Sequence, residues 1–351
     1  MKTDSIDRDL FATRRSGWNP TQPDGRGGTR PSHSGRARFH PRRVGPGRGS
    51  TRAEAFWARP EWLLICGQPQ SACGHDARKG EMTIQPSKEL PIVGEVFSVE
   101  GRTAFLILPR SVAASNEMPW VWYAPTLPSL PGQAEKWMFQ KFSDAGIAVA
   151  GIDVGESYGN PQGCALFSAF YAELVGKRGL SKRPCLLARS RGGLMLYNWA
   201  IEHPSFVAGI AGIYPVCDFL SYPGLKNACA AYGLAEALIL VGQTSEGAFG
   251  LGNKGAQGLT EAQLLAQLAA HNPIDRLASL AEAHVPIYHI HGDCDTVVPL
   301  EENSGKLAQR YRQLGGEITL NVVKGQGHNM WPGWFQSQEL VDFVIAQAHK
   351  R

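Results

Sequence analysis

The chain has 351 residues, enough for one large domain or two small ones. Hydrophobic residues make up 43% and charged residues 19%, which excludes a wholly disordered chain; no window approaches the ~18 consecutive apolar residues of a membrane span. The formal charge of +4 is unevenly spread: residues 1–81 hold 15 Lys+Arg against 8 Asp+Glu, while the remainder holds 20 against 23, so the basic character is confined to one end and argues against a nucleic-acid-binding enzyme with a basic folded face.

Residues 1–52 are rich in Gly, Pro, Ser and Arg and nearly lack aliphatic residues. Such a stretch cannot bury apolar surface, so residues 1–81 read as a disordered basic extension. Asp4, Asp7 and Asp9 and the lack of an apolar run exclude a secretory signal there. Met82 opens the globular-looking part, so translation from upstream of the true start would account for the first 81 residues. Without a signal peptide or membrane span, and with seven cysteines, an odd and modest count, the expected location is the cytoplasm.

From about residue 88 short β-rich runs alternate with longer helical ones, and residues 88–350 read as one domain. Strands are expected at Ile92–Val99, Thr103–Leu108, Pro119–Tyr123, Ile147–Ile152, Cys185–Ala188, Val207–Ile213, Ile287–His291 and Ile318–Val323. Helices are expected at Gln133–Ala145, Cys164–Val175, Arg191–Glu202, Ala262–Ala270, Glu301–Leu314 and Gln338–Ala348. This alternation implies βαβ units in a mostly parallel eight-stranded sheet with helices on both faces. The first two strands have no helix between them and should form an antiparallel hairpin at one edge. Residues 218–280 are too long for one crossover and read as a lid-like insertion.

Three segments carry chemistry. In Cys185-Leu-Leu-Ala-Arg-Ser-Arg-Gly-Gly193 a buried strand runs into Ser190 and then into an apolar helix. That is the context of a nucleophile elbow, with small residues (Ala188 and Gly192) two positions either side of the serine. In Ile287-Tyr-His-Ile-His-Gly-Asp-Cys-Asp-Thr-Val-Val-Pro299 a strand ends beside two acids. Asp295 is the expected orienting acid; Asp293 is expected to cap a turn. In Val322-Val-Lys-Gly-Gln-Gly-His328 a last strand gives way to a Gly-flanked loop holding a histidine. Each segment alone is weak. The order Ser190, Asp295, His328, each after a strand, is that of one serine-triad fold and not of the others.

On these residues the sequence resembles the α/β-hydrolase superfamily over roughly 90–348, and within it the esterase and prolyl-oligopeptidase-like branch, whose H-G-x-x-D-x-x-V-P stretch is similar to His291–Pro299. It is also similar to uncharacterised bacterial hydrolases with an S-R-G-G elbow and a G-E-S-Y-G loop, here Gly155–Gly159. The Ser190-Arg191 pair resembles that of glucuronoyl esterases, but Ala188 and Leu194 depart from their motif. The resemblance implies an α/β-hydrolase fold and Ser190, Asp295 and His328 as a triad acting through an acyl-enzyme on carboxylic esters or lactones. It places the oxyanion hole at the Arg191 N–H and in the loop after the third strand. There Pro125 has no N–H, so the second donor is expected from Ala124 or Thr126. Glu156, Tyr158 and Trp331 are candidate substrate-binding residues; a capping or ion-pairing role is the plainer one for Glu156. Trp120, Trp122 and Trp334 read as pocket wall or plain core, and His289 and His291 as satisfied core histidines.

No cofactor motif and no zinc-ligand spacing are present, so neither cofactor nor metal is expected. The expected partner is a small ester or lactone, with no nucleic acid or membrane. Two other functions fit less well. A prolyl-oligopeptidase-like peptidase would need a propeller-sized domain ahead of the fold, and a non-catalytic binding module normally lacks a triad member.

Overall fold

A computed structural model describes residues 87–111, 117–233 and 260–350, all within one compact unit, Lys79–Arg351. The expected extension, 1–81, and the middle of the expected insertion lie outside the described residues.

Eight strands form one sheet: β1 (Glu95–Val99), β2 (Arg102–Ile107), β3 (Trp120–Ala124), β4 (Ala148–Ile152), β5 (Cys185–Arg189), β6 (Gly209–Ile213), β7 (Ile287–Gly292) and β8 (Ile318–Val323). Their spatial order is β1-β2-β4-β3-β5-β6-β7-β8. β1 and β2 pair antiparallel, β2 joins β4 antiparallel, and all other pairings are parallel. Glu100 and Gly101, both at positive φ (48° and 72°), make the tight turn of the expected hairpin. The sheet order reverses between β3 and β5, so their carboxyl ends open a crevice where a site belongs.

β3 to β7 are buried along their whole length because helices cover both faces. The strand period of two then sorts side chains by face. Trp120, Trp122 and Ala188 point into one core with helices α2 (Pro161–Arg178) and α3 (Gly192–Glu202); Val121, Tyr123 and Leu187 point into the other with α1 (Lys136–Asp144) and α9 (Gln338–Ala348). Trp120 and Trp122 are therefore core, stacked 5.4 Å apart. Local chemistry sets the ends of α2. The Asn160 side chain accepts from Gly163 N–H, Pro161 opens the first turn, and Gly179 at φ 71° closes the last.

Two expected helices differ in form. The run expected at 133–145 begins as a 3₁₀ turn, Gln133–Glu135, before α1. The run expected at 301–314 begins as a π turn, Glu301–Gly305, before α7 (Lys306–Gln313). The described ends of the insertion supply α4 (Leu225–Gly233), α5 (Glu261–His271) and α6 (Ala278–Glu282), and a short α8 (Pro332–Phe335) precedes α9. Phe219, Tyr232 and Leu264 of the insertion pack with Leu194 of α3 and with Val298, joining the segment after Ser190 to the segment after Asp295. Among the described residues no helix is long and apolar enough to cross a membrane.

Candidate active site

β5 ends at Arg189, and the chain turns at Ser190 with φ +49°, in the left-handed region that a non-glycine residue occupies only under strain. The turn is held from both sides. Ser190 N–H donates to Ile213 O (3.0 Å), and Ser190 O accepts from Gly193 N–H (2.9 Å) and Val216 N–H (2.8 Å). The two following glycines leave room for α3 to start against the sheet. A Cβ on Gly192 would lie 2.2 Å from Ala124 O, and one on Gly193 would lie 2.2 Å from Val216 O. Ala188, where such elbows usually carry glycine, fits in the core between Ala124 and Gly212.

The three residues expected to act together meet at this turn. Ser190 Oγ lies 3.0 Å from His328 Nε2, and His328 Nδ1 lies 2.8 Å from Asp295 Oδ2. Because a carboxylate only accepts, Nδ1 carries the proton and Nε2 is left bare toward Ser190. The Tyr214 ring packs on the imidazole with centroids 4.3 Å apart and limits its swing. Asp295 is buried, and its Oδ1 accepts from the N–H groups of Val297 (3.0 Å) and Val298 (2.8 Å). Burial alone would raise the Asp295 pKa; hydrogen bonds from His291, His328 and Val298 outweigh it and hold the carboxyl well below its usual range. Asp293 turns the other way and accepts from Gly325 N–H (2.7 Å), bracing the turn after β8.

Ser190, Arg189, Arg191, Pro125, Tyr214 and Met330 are among the residues that wall a cleft of about 220 Å³ that also exposes His328. The expected substrate residues stand beyond its walls. Glu156 ion-pairs with the Arg191 guanidinium. Tyr158 packs with Tyr222 and gives its carbonyl to the Tyr232 hydroxyl (3.2 Å). Trp331 lies edge-on to Trp334, 5.2 Å away, and covers Gly333.

The oxyanion expectation divides. The Arg191 N–H has no protein acceptor among the described residues. In the β3 loop the cleft is walled by Pro125, which has no N–H, and by Leu130, whose N–H donates to Leu127 O (2.9 Å). Ala124 stands level with Ala188 in the sheet and Thr126 bridges to Asp153, and neither is among the residues that wall this cleft.

Sequence reasoning passed over Arg189, Tyr214 and Met330 as cleft residues. Each was in view as a neighbour of a motif: Arg189 precedes the nucleophile, Tyr214 follows β6 beside it, and Met330 is two past His328. Arg189 is buried against Glu135 (Nη1–Oε1 2.5 Å), lies over the Phe335 ring, and turns Nη2 to the Met330 sulfur (3.0 Å). Among the described residues no group of three or more His, Cys, Asp or Glu side chains could hold a metal.

Residues 265–344 match the phospholipase/carboxylesterase family, a stretch that includes Asp295 and His328 but not Ser190. No curated protein matches the chain. Among solved structures it is similar to a Mycobacterium tuberculosis puromycin-hydrolyzing peptidase (TM-score 0.52, 14% identity, 72% of this chain and 39% of that one). It is similar to a putative dipeptidyl aminopeptidase IV from Bacteroides ovatus (TM-score 0.51, 12% identity, 73% and 35%) and to MPT51 of M. tuberculosis (TM-score 0.53, 14% identity, 74% and 100%). The chain thus spans little more than a third of the two peptidases' length. The sheet order, the parallel pairing and these likenesses identify the fold as that of the α/β-hydrolases.

Proposed function

We propose that the chain is a serine hydrolase of carboxylic esters, lactones included, working through an acyl-enzyme. The observation that carries this reading is the hydrogen-bonded line Ser190 Oγ, His328 Nε2, His328 Nδ1, Asp295 Oδ2 at the head of a strained turn. Ser190 is a weak nucleophile until a base takes its proton. As its Oγ bonds to the substrate carbonyl carbon, His328 Nε2 accepts that proton and the C=O electrons move to the oxygen. Asp295 keeps the imidazolium in place and compensates its charge. The tetrahedral oxyanion takes the Arg191 N–H. On collapse the C–O bond to the leaving alcohol breaks, and His328 protonates that oxygen. Water, deprotonated by His328, then releases the acid.

Two features favour esters over peptides. A preset oxyanion donor is worth on the order of 10²–10³ in rate, and of the β3-loop residues that wall the cleft Pro125 has no N–H and the Leu130 N–H is taken by Leu127 O. A reduced oxyanion hole suits an activated ester better than an amide, whose poorer leaving group demands more. A cleft of about 220 Å³ is below the ~300–1,000 Å³ of drug-sized sites and suits a short acyl group. Cys164, Cys185, Cys217 and Cys229 are buried free thiols, in keeping with a reducing compartment such as the cytoplasm.

The test is hydrolysis of p-nitrophenyl acetate and butyrate beside aminoacyl p-nitroanilides, with Ser190→Ala as the control. Ester turnover lost in Ser190→Ala supports the reading. Anilide turnover exceeding ester turnover would place the chain with the peptidases instead.

A further inference from the structure

Asp295 is held from behind by a buried polar chain that the catalytic steps do not use. His289 and His291 alternate on β7 and so face one side of the sheet, toward the π turn Glu301–Gly305. That turn carries Ser304 inward, and Ser304, His289 and His291 are all fully buried. Ser304 Oγ lies 2.8 Å from His291 Nδ1 and 2.9 Å from His289 Nδ1. His289 Nε2 meets the Tyr197 hydroxyl at 2.8 Å. At the other end His291 Nε2 lies 2.9 Å from Val298 O and 3.4 Å from Asp295 Oδ2.

With both rings neutral, these partners permit one set of proton positions. Val298 O can only accept, so His291 Nε2 carries the proton and its Nδ1 is bare. Ser304 O–H must then donate to His291 Nδ1. Having one proton, Ser304 can only accept from His289, so His289 Nδ1 is protonated. Its bare Nε2 accepts from Tyr197 O–H. Burial holds the His289 pKa down at about 3, in keeping with a neutral ring there. Every donor on this path is used, which fixes the tautomer and plane of His291.

We infer that His291 is a positioning residue for Asp295: its Nε2–H goes to Val298 O, the residue whose own N–H binds Asp295 Oδ1, and its ring stands 3.4 Å from the carboxylate oxygen that holds His328, with Ser304 fixing that ring. A group fixed in this way acts on rate through the aim of His328 and not through substrate binding. The role rests on the serine-hydrolase reading. A 1 Å misplacement near a reacting centre costs up to about 10²-fold.

The experiment is a double-mutant cycle on full-length protein. His291→Leu, His291→Gln and Ser304→Ala are made alone and with Asp295→Asn, and kcat and KM for p-nitrophenyl acetate are measured with the melting temperature. His291→Leu should lower kcat about 10-fold or more with KM within about twofold, and the amide N–H of Gln should recover part of the loss. In the Asp295→Asn background His291→Leu should add less than about twofold, because the group it acts through is already changed. Unchanged kcat in His291→Leu, or the same fold-loss in both backgrounds, would overturn the inference and leave the hydrolase reading standing. If His291→Leu does not fold, Ser304→Ala decides: a loss of about threefold or more in kcat supports the role, and an unchanged kcat overturns it. Wild-type protein with no ester turnover and no labelling by a fluorophosphonate would overturn the hydrolase reading and the inference together.

Discussion

The elbow at Ser190 and the loop at Asp295 put side chains on the same imidazole, yet they are fixed by opposite means. The elbow is fixed by exclusion. Backbone oxygens stand where the Cβ atoms of Gly192 and Gly193 would go, and Ser190 is forced to a positive φ. The acid loop is fixed by satisfaction. Asp295 takes two backbone N–H groups on one oxygen, and on the other the His328 N–H together with the longer approach of His291. A sterically fixed turn tolerates no added atom, whereas a loop fixed by hydrogen bonds tolerates its neighbours' shapes but no change in the sense of a donor. The two regions should therefore fail differently, one in folding and the other in chemistry.

The largest effect is expected at Asp295. In Asp295→Asn the side-chain oxygen stays with the Val297 and Val298 N–H groups, which only donate. The new amide then turns its own donors toward His328 and His291. Nδ1 of His328 must lose its proton to accept, Nε2 becomes a donor to Ser190, and the base is in the wrong tautomer. A comparable change in a related triad costs about 10⁴ in kcat. Ester turnover should fall by about that factor while the circular dichroism spectrum and melting curve stay near wild type. A variant that unfolds would show the acid loop to be a structural element first.

Next is Gly193→Ala, which sets a methyl against Val216 O and N, at 2.2 and 2.8 Å. Both are backbone atoms that no side-chain rotation can move. A loss of about 3 kcal/mol in urea unfolding is expected, the upper part of the usual range for overpacking. A stable, active variant would mean that the elbow relaxes and that exclusion does not fix it.

The sheet, the order of the three residues and the split between Asp293 and Asp295 were legible in the sequence because each depends on local pattern. Continuous apolar runs mark β3 to β7, and small residues flank Ser190 two positions away. The supports of the acid loop were not legible. Ser304 reaches His291 from 13 positions on, through a π turn inside what reads as one helix, Glu301–Leu314. Asn303 in the same turn reaches back to the N–H groups of Cys217 and Asp218, more than 80 positions away. Nothing local marks either contact. The partners of Glu156 and Tyr158 were hidden for a related reason. Their loop follows β4, and Glu156 meets Arg191 while Tyr158 packs with the insertion's Tyr222, contacts between segments far apart in the chain.

A smaller effect separates the regions by pH. The His289 pKa is lowered to about 3 by burial and by His291, against an ordinary value near 6.5. A depressed pKa contributes stability that is complete above about 6.5 and is lost as pH falls toward 3. The melting temperature should decline across that window as His289 is driven to charge, and the decline should be shallower in a folded variant lacking that imidazole, His289→Gln. An equal decline in the variant would place acid sensitivity elsewhere.

The smallest effect is expected at Asp293, the acid beside the one that meets His328. Asp293→Asn keeps an oxygen able to accept from Gly325 N–H, so stability should fall by at most about 1 kcal/mol and turnover should stay near wild type. A large loss of turnover with an unchanged melting temperature would reverse the two acids' roles.

The most direct test of the account is to ask whether Ser190 is a nucleophile activated by His328. Full-length protein is treated with a fluorophosphonate, and the adduct is mapped by mass spectrometry in wild type, Ser190→Ala and His328→Ala. The account predicts a single adduct on Ser190, none in Ser190→Ala and greatly slowed labelling in His328→Ala. No adduct on wild type, or an adduct that persists in Ser190→Ala, would contradict it.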